Sequence, residues 1–366
     1  MVLFGGRSAE HDISKISASH VLRAVDLARY EVVPIGITKD GAWVLAQHAA
    51  ELIQQGRSGE LPDSLSIEGP EVQPFEVLGR ATQEPPTVVL PILHGPNGED
   101  GTVQGLLEMA QVPYVGAGVL GSAVAMDKAM AKTVLDAAGI AQPRWLAVRV
   151  SERADSELAA RLIAELGETV FVKPANMGSS IGITKAHGAE ELLAALDLAF
   201  NYDEIAVVEE AVVARELEVA VLGNRSPKAS VVGEIIPAAE FYDYEDKYAD
   251  GTAQSVIPAQ MTPTDSEQLR ELAVRTFSAL RAEGMARVDV FFEEGTADQP
   301  GRGFLVNEIN TIPGFTPISM YPMLWQATGL SYPRLIDELV LLAIERHAQR
   351  GQRRTDVSER GAAKKT

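Results

Sequence analysis

Two apolar runs late in the sequence carry side chains that could bind a cation. ARVDVFFEE (286–294) holds Asp289, and GFLVNEIN (303–310) holds Glu308 and Asn310 two residues apart. Side chains alternate across a strand, so Glu308 and Asn310 share one face. A buried carboxylate without a partner is costly. Two carboxylates and an amide converging from neighbouring strands suit Mg²⁺, which takes hard oxygen donors and keeps waters and substrate phosphates as its other ligands. Arg287 falls on the face of Asp289, so an arginine–carboxylate ion pair is the competing reading. The number of oxygen donors favours the metal.

Four further stretches bear on chemistry. KPANMGSSIG (173–182) is a Gly/Ser loop beside Lys173; its backbone N–H groups could wrap phosphate oxygens, or it could be a plain hairpin turn. It is no P-loop, because GxxxxGK[ST] occurs nowhere. FYDYEDKYADGTAQSVIP (241–258) holds three tyrosines, Phe241 and Lys247, and reads as a lid. GGRSAEHDIS (5–14) lacks GxGxxG but sets Glu10 and His11 at the carboxyl end of a strand, where α/β sheets bind ligands. Asp12 is a candidate helix cap there. LHGPNGEDGT (93–102) places His94 on a glycine-rich loop after a strand; a lone histidine is more often structural.

The elements that must position these residues alternate. VLFGG (2–6) reads as a strand, 11–28 as a helix, 30–38 and 87–95 as strands, and 113–118 as a further short segment. This implies a parallel α/β sheet. A helix over 123–140 follows, then strand–loop–strand over 168–186, a helix over 189–199 and a strand over 204–212. The segments 216–223 and 230–237 read as a hairpin. A helix over 264–284, the two apolar strands and a helix over 333–349 complete the chain. The second half is α+β.

The chain has 366 residues, which implies two or three domains. Its net charge of −19 disfavours nucleic acid as a partner. No apolar run is long enough for a membrane span, and no leader pattern opens the chain. There is no cysteine, which excludes disulfides, thiolate metal sites and a cysteine nucleophile, and fits the cytoplasm. The basic tail 350–366 reads as disordered. Ser-His-Asp chemistry finds no support either.

Taken in order, FGGRSAEHDIS, LHGPNGEDGTVQG, PYVGAG with MDK, KPANMGSSIG, EFYDYEDKY, and ARVDVFF with VNEINTIPGFTPISMYP resemble the D-alanine–D-alanine ligase family of the ATP-grasp superfamily. The resemblance spans about residues 2–345. It implies an ATP-grasp fold: an N-terminal parallel α/β domain (1–121), a central α+β subdomain (122–215), and a C-terminal catalytic subdomain (216–349) with the lid 237–258. It implies a cytoplasmic, typically dimeric enzyme that joins two D-alanines with ATP and two Mg²⁺ or Mn²⁺ ions for peptidoglycan synthesis. By the same resemblance Glu10 holds the first D-alanine ammonium, with His94 and Glu99 in the same wall. Lys128, Lys173, Ser180 and the lid's Lys247 grip phosphates. Glu209, Glu210, Ala211 and Val212 form the adenine hinge, with Glu216 on the ribose. Asp289, Glu308 and Asn310 ligate metal. Arg287 and the N–H of Gly314 face the oxyanion, and Ser319, beside Met320, takes the second carboxylate. Ser179 and Tyr248 complete a triad with Glu10, and Tyr248 favours an amine acceptor. The alternatives are a D-alanyl-D-lactate or other ATP-grasp carboxylate–amine ligase, and a non-catalytic nucleotide-binding protein.

Overall fold

A computed structural model describes residues 1–81, 87–155, 157–236, 254–295 and 300–352. Most of the expected lid, with Lys247 and Tyr248, lies outside these residues, as do 353–366.

The first sheet contains β1 (Val2–Gly5), β2 (Pro34–Ile37), β3 (Trp43–Leu45) and β4 (Leu90–Ile92) in the order β3-β2-β1-β4. β1 runs parallel to both β2 and β4 and is buried along its whole length, which explains its unbroken apolar run. β3 joins antiparallel, so the sheet is mixed rather than wholly parallel as expected. The segment 113–118 makes only an isolated bridge, Val89 to Tyr114, and is no strand. The helix His11–Ala24 packs on β1, and its buried face includes Ser14, Ser17 and Ser19. Ser14 Oγ accepts from the Gly5 N–H at 2.7 Å and donates to the Ile92 carbonyl, joining two strand ends. Asp12 does not cap this helix; it pairs with Lys15 at 3.2 Å and Lys39 at 3.3 Å.

Residues 119–137 form two helices, Val119–Met126 and Lys128–Ala137, not one. Asp127 breaks the chain between them and caps the second by accepting from the Met130 N–H at 3.0 Å. The second sheet has β5 (Trp145–Arg149), β6 (Thr169–Pro174), β7 (Thr184–His187) and β8 (Ile205–Glu210), all antiparallel in the order β5-β8-β6-β7. Helices Leu158–Leu166 and Gly188–Ala199 cover one face with Leu162, Leu166, Leu192 and Leu196.

The third sheet contains β9 (Arg215–Gly223), β10 (Lys228–Ile236), β11 (Gln254–Val256), β12 (Gly284–Gly295) and β13 (Pro300–Asn310) in the order β11-β10-β9-β12-β13. Leu217, Val219, Val221, Val288, Val290 and Val306 pack with Leu269, Ala273 and Phe277 of the helix Pro263–Ala279. The alternate positions of the same strands carry the candidate site.

The C-terminal helix Tyr332–Gly351 binds the first unit to the third. Buried Arg346 donates to the Tyr114 carbonyl at 2.6 Å and to that of Gly116, with its guanidinium 4.1 Å from the centre of the Tyr114 ring. Arg350 pairs with Glu108, and with Glu283 at 3.0 Å. The expected disordered tail therefore begins with an anchored residue, because Arg350 extends the helix to meet two carboxylates.

Gly284 opens β12 with φ +74°, and a Cβ there would lie 3.0–3.3 Å from backbone atoms of Gly116. Gly284→Ala is expected to lower the unfolding free energy by at least about 1–2 kcal/mol, the cost of left-handed backbone for a side-chain-bearing residue. Urea titration measures it; an unchanged midpoint would contradict it.

Candidate active site

Across three strands of the third sheet, Glu218 on β9, Asp289 on β12 and Glu308 on β13 stand directly opposite one another. The next row holds Ala220, Arg287 and Asn310. Arg287 clasps Asp289 with two bonds of 2.7 Å and lies 3.1 Å from Glu218. Asn310 donates to Asp289 at 3.0 Å. Of the two readings of the sequence, the arginine pair is present, with Glu308 and Asn310 directly beside it. Burial works against the Arg287 charge, but Asp289 and Glu218 outweigh it and hold its pKa well above the ordinary arginine value. Among the described residues no three His, Cys, Asp or Glu side chains are gathered as a metal site. The expected set has only two carboxylates, and Asn310 is its third donor. Hard oxygens of this kind fit Mg²⁺, with several coordination positions left to water and phosphate.

β13 has an irregularity here: Asp289 faces Glu308, but Val290 faces Val306, so Asn307 is the extra residue of a bulge. Asn307 Oδ1 accepts from Lys173 Nζ at 3.1 Å. The bulge links β13 to the second sheet, a link that strict alternation hides.

Lys173 lies at the end of β6, just before the Gly/Ser loop, and is also 3.0 Å from Glu209 on β8. Lys128 opens its helix and donates to the Met177 carbonyl of the loop at 2.5 Å. Burial lowers the Lys128 pKa, and Glu308 opposes that shift. Ser179 and Ser180 hold φ values of 49° and 60°, a left-handed geometry uncommon for side-chain-bearing residues and found where a loop is shaped for a ligand. Lys173, Ser180, Glu209, Glu210, Ala211, Val212, Glu216, Arg287, Asp289 and Glu308 all line one cleft of about 450 Å³. The Glu210 carboxylate itself is taken by Arg144 at 2.7 Å and by Arg302, and its N–H donates to the Arg144 carbonyl at 3.0 Å.

Glu10 immediately precedes the helix His11–Ala24 and is buried. It accepts a hydrogen bond from Ser179, joining the turn after β1 to the loop. His94 and Glu99 come to the same place. The Ile312 carbonyl can only accept, so His94 carries its proton on Nδ1 and donates to it at 3.0 Å. Burial lowers the His94 pKa, against the charge of Glu10. Glu99 accepts from the N–H of Ile312 at 3.0 Å and of Gly95 at 2.8 Å. Both groups of Ile312 are therefore held by the loop that follows β4, two residues before Gly314.

Burial, and then the charge of Glu10, push the Glu99 carboxyl up from 4.5 to about 8, against the pull of its two N–H donors. Between those values the folded chain keeps a proton that the unfolded chain has lost. Stability of the ligand-free protein from this group therefore falls as pH rises through that window. Glu99→Gln is expected to flatten the decline and to lower stability at the acidic end of the window, since glutamine offers one acceptor to two donors. Urea unfolding between pH 5 and pH 8 checks this; equal slopes in the two proteins would contradict it.

Ser319 occupies the N-cap position of the helix Met320–Ala327, at the end of the turn that carries Gly314, and its Oγ accepts from the Thr316 N–H at 3.1 Å rather than capping the helix. A Cβ added to Gly314 would lie 3.0 Å from Ser319 Oγ. Met320 turns the other way. It is a core residue, and a Cβ on Gly233 would meet its methyl at 2.4 Å. The helix directs it onto β10. Glu218, Asn307 and Lys132 were not among the expected residues. Glu218 was legible by alternation with Glu216; the other two had no local signal.

Residues 1–117 match the family model described as D-ala D-ala ligase N-terminus, and 134–341 match the D-ala D-ala ligase C-terminus. The chain is 45% identical over 360 residues to a D-alanine–D-alanine ligase of Bacillus pumilus, covering 95% of this chain and 96% of the relative. It is 46% identical over 347 residues to that of Clostridium novyi, covering 94% and 97%. Among solved structures, the D-alanine-D-alanine ligase from Coxiella burnetii superposes with a TM-score of 0.77 at 36% identity, covering 96% of this chain and 95% of that one. VanG D-Ala:D-Ser ligase from Enterococcus faecalis gives 0.77 at 36%, covering 93% and 98%.

Proposed function

Because the chain belongs to the D-alanine–D-alanine ligase family, we propose that it joins two D-alanines at the expense of ATP, giving D-alanyl-D-alanine, ADP and phosphate. The observation that carries this reading is the contact between Glu10 and Ser179. It supports the reading because it sets a buried carboxylate, suited to an ammonium, against the Gly/Ser loop that Lys173 precedes and Lys128 touches.

In this reading Glu10 holds the first D-alanine by its ammonium, with His94 and Glu99 behind it. The substrate carboxylate attacks the γ-phosphorus, the bond to ADP breaks, and an acylphosphate forms. The amine of the second D-alanine, its carboxylate on Ser319, attacks the acyl carbon. Phosphate leaves and the amine loses a proton. Arg287 and the Gly314 N–H face the oxyanion, a preorganised electrostatic contribution. Lys128, Lys173, Ser180 and Lys247 orient the phosphates. Glu209, Glu210, Ala211 and Val212 seat the adenine, and Glu216 the ribose. Asp289, Glu308 and Asn310 would hold Mg²⁺ or Mn²⁺, whose charge offsets that of the phosphates.

The boundaries 1–121, 122–215 and 216–349, with the lid 237–258 and Tyr248 in the triad, belong to the same proposal. So do a homodimer, a cytoplasmic setting and a role in peptidoglycan synthesis. Among the described residues no helix is long and apolar enough to cross a membrane. The acceptor is the finer question, since a D-Ala:D-Ser ligase is a structural neighbour. The test supplies D-alanine, D-serine and D-lactate together with ATP and Mg²⁺ and identifies the product by mass. D-Alanyl-D-alanine as the main product is expected; D-alanyl-D-serine or D-alanyl-D-lactate would reassign the acceptor.

A further inference from the structure

Lys132 lies one helical turn beyond Lys128, on the same face of the helix Lys128–Ala137. Its side chain is only 2% exposed, which is rare for lysine. Its ammonium is 3.2 Å from Glu209 Oε1, an ion pair without hydrogen-bond alignment. Lys173 sits on the other oxygen of the same carboxylate at 3.0 Å. One buried carboxylate thus serves two ammonium groups. Burial opposes the Glu209 charge, and the two lysines together hold its pKa below the ordinary value. Lys132 also lines a small cavity with Lys128, Glu99, Glu308 and Asn310, so it stands behind the phosphate-facing lysines.

We propose that Lys132 is a positioning residue: it keeps Glu209 neutralised so that Lys173 can turn from that carboxylate to a nucleotide phosphate. The inference rests on the reading of Lys173 as a phosphate grip. Were Lys173 the only partner of Glu209, turning away would strand a buried carboxylate, the costly outcome of breaking a buried pair. With Lys132 in place the carboxylate keeps a counter-charge throughout. Asn307, the other partner of Lys173, is neutral and offers no such hold.

The test is equilibrium binding of the non-hydrolysable triphosphate AMP-PNP with Mg²⁺, compared with adenosine, on the full chain. In Lys132→Met, Glu209 retains Lys173, and AMP-PNP affinity is expected to fall about tenfold, the loss of roughly one charge-assisted contact. Adenosine, which has no phosphate, keeps its affinity. Lys132→Arg keeps the charge and is expected to keep the wild-type ratio of the two affinities. Should Lys132→Met fail to fold, Lys132→Gln carries the same comparison. Equal weakening for both ligands would mark a merely structural role and overturn the inference. So would an unchanged ratio in Lys132→Met or Lys132→Gln. If the wild-type protein bound neither ligand, the nucleotide reading would fail first and this inference with it.

Discussion

Replacing Arg287 by methionine is expected to lower kcat for dipeptide formation by about 10²–10³-fold, the usual cost of one oxyanion donor. Arg287 is held by Asp289 and Glu218, so its fork is fixed before any substrate arrives. The variant removes the donor and also leaves these carboxylates without their cation. Breaking such a pair costs about 3–5 kcal/mol of stability where it is well buried. Added Mg²⁺ should therefore raise the melting temperature of Arg287→Met more than that of the wild type. Arg287→Lys keeps the charge but not the two-pronged geometry, and should recover only part of the rate. Wild-type kcat in a folded Arg287→Met protein would remove Arg287 from the chemistry.

Glu10→Gln should act differently. Glutamine can still accept from Ser179, so the loop keeps its anchor. What is lost is the charge that the proposed function assigns to the substrate ammonium. A hydrogen bond to a charged group contributes about 1.5–3 kcal/mol, so KM for the first D-alanine should rise up to about 10²-fold. KM for ATP should stay close to the wild-type value, because Glu10 is not among the residues proposed to grip the phosphates. Initial rates with either substrate varied provide the check. Equal increases for both substrates would show that Glu10 shapes the loop rather than binding the ammonium.

Much of this site follows from strand periodicity. Alternation alone puts Glu308 and Asn310 on one face and Arg287 with Asp289, and the third sheet sets these four residues in two facing rows. Alternation fails at Asn307, where a bulge turns a residue expected on the opposite face toward Lys173. Bulges depend on pairing between strands and leave little trace in one strand's sequence. Lys132 was hidden for a related reason. Its partner Glu209 is far along the chain, and only the packing of a helix on the second sheet joins them. The break at Asp127 was more legible, since aspartate before a helix is a strong cap. The apolar pattern runs on through it and obscured the boundary. β3 lies within 40–80, where the sequence carries no clear signal, and it is what makes the first sheet mixed.

The central claim is that a substrate bound at Glu10 is activated by the nucleotide and captured by a second D-alanine. The most direct measurement supplies D-alanine labelled with ¹⁸O in its carboxylate, together with ATP and Mg²⁺, and follows the label by mass spectrometry. The account predicts D-alanyl-D-alanine with one ¹⁸O transferred to inorganic phosphate for each dipeptide formed, because the acylphosphate oxygen leaves with phosphate. Dipeptide formed with no label in phosphate would contradict it, as would ADP release that does not depend on D-alanine.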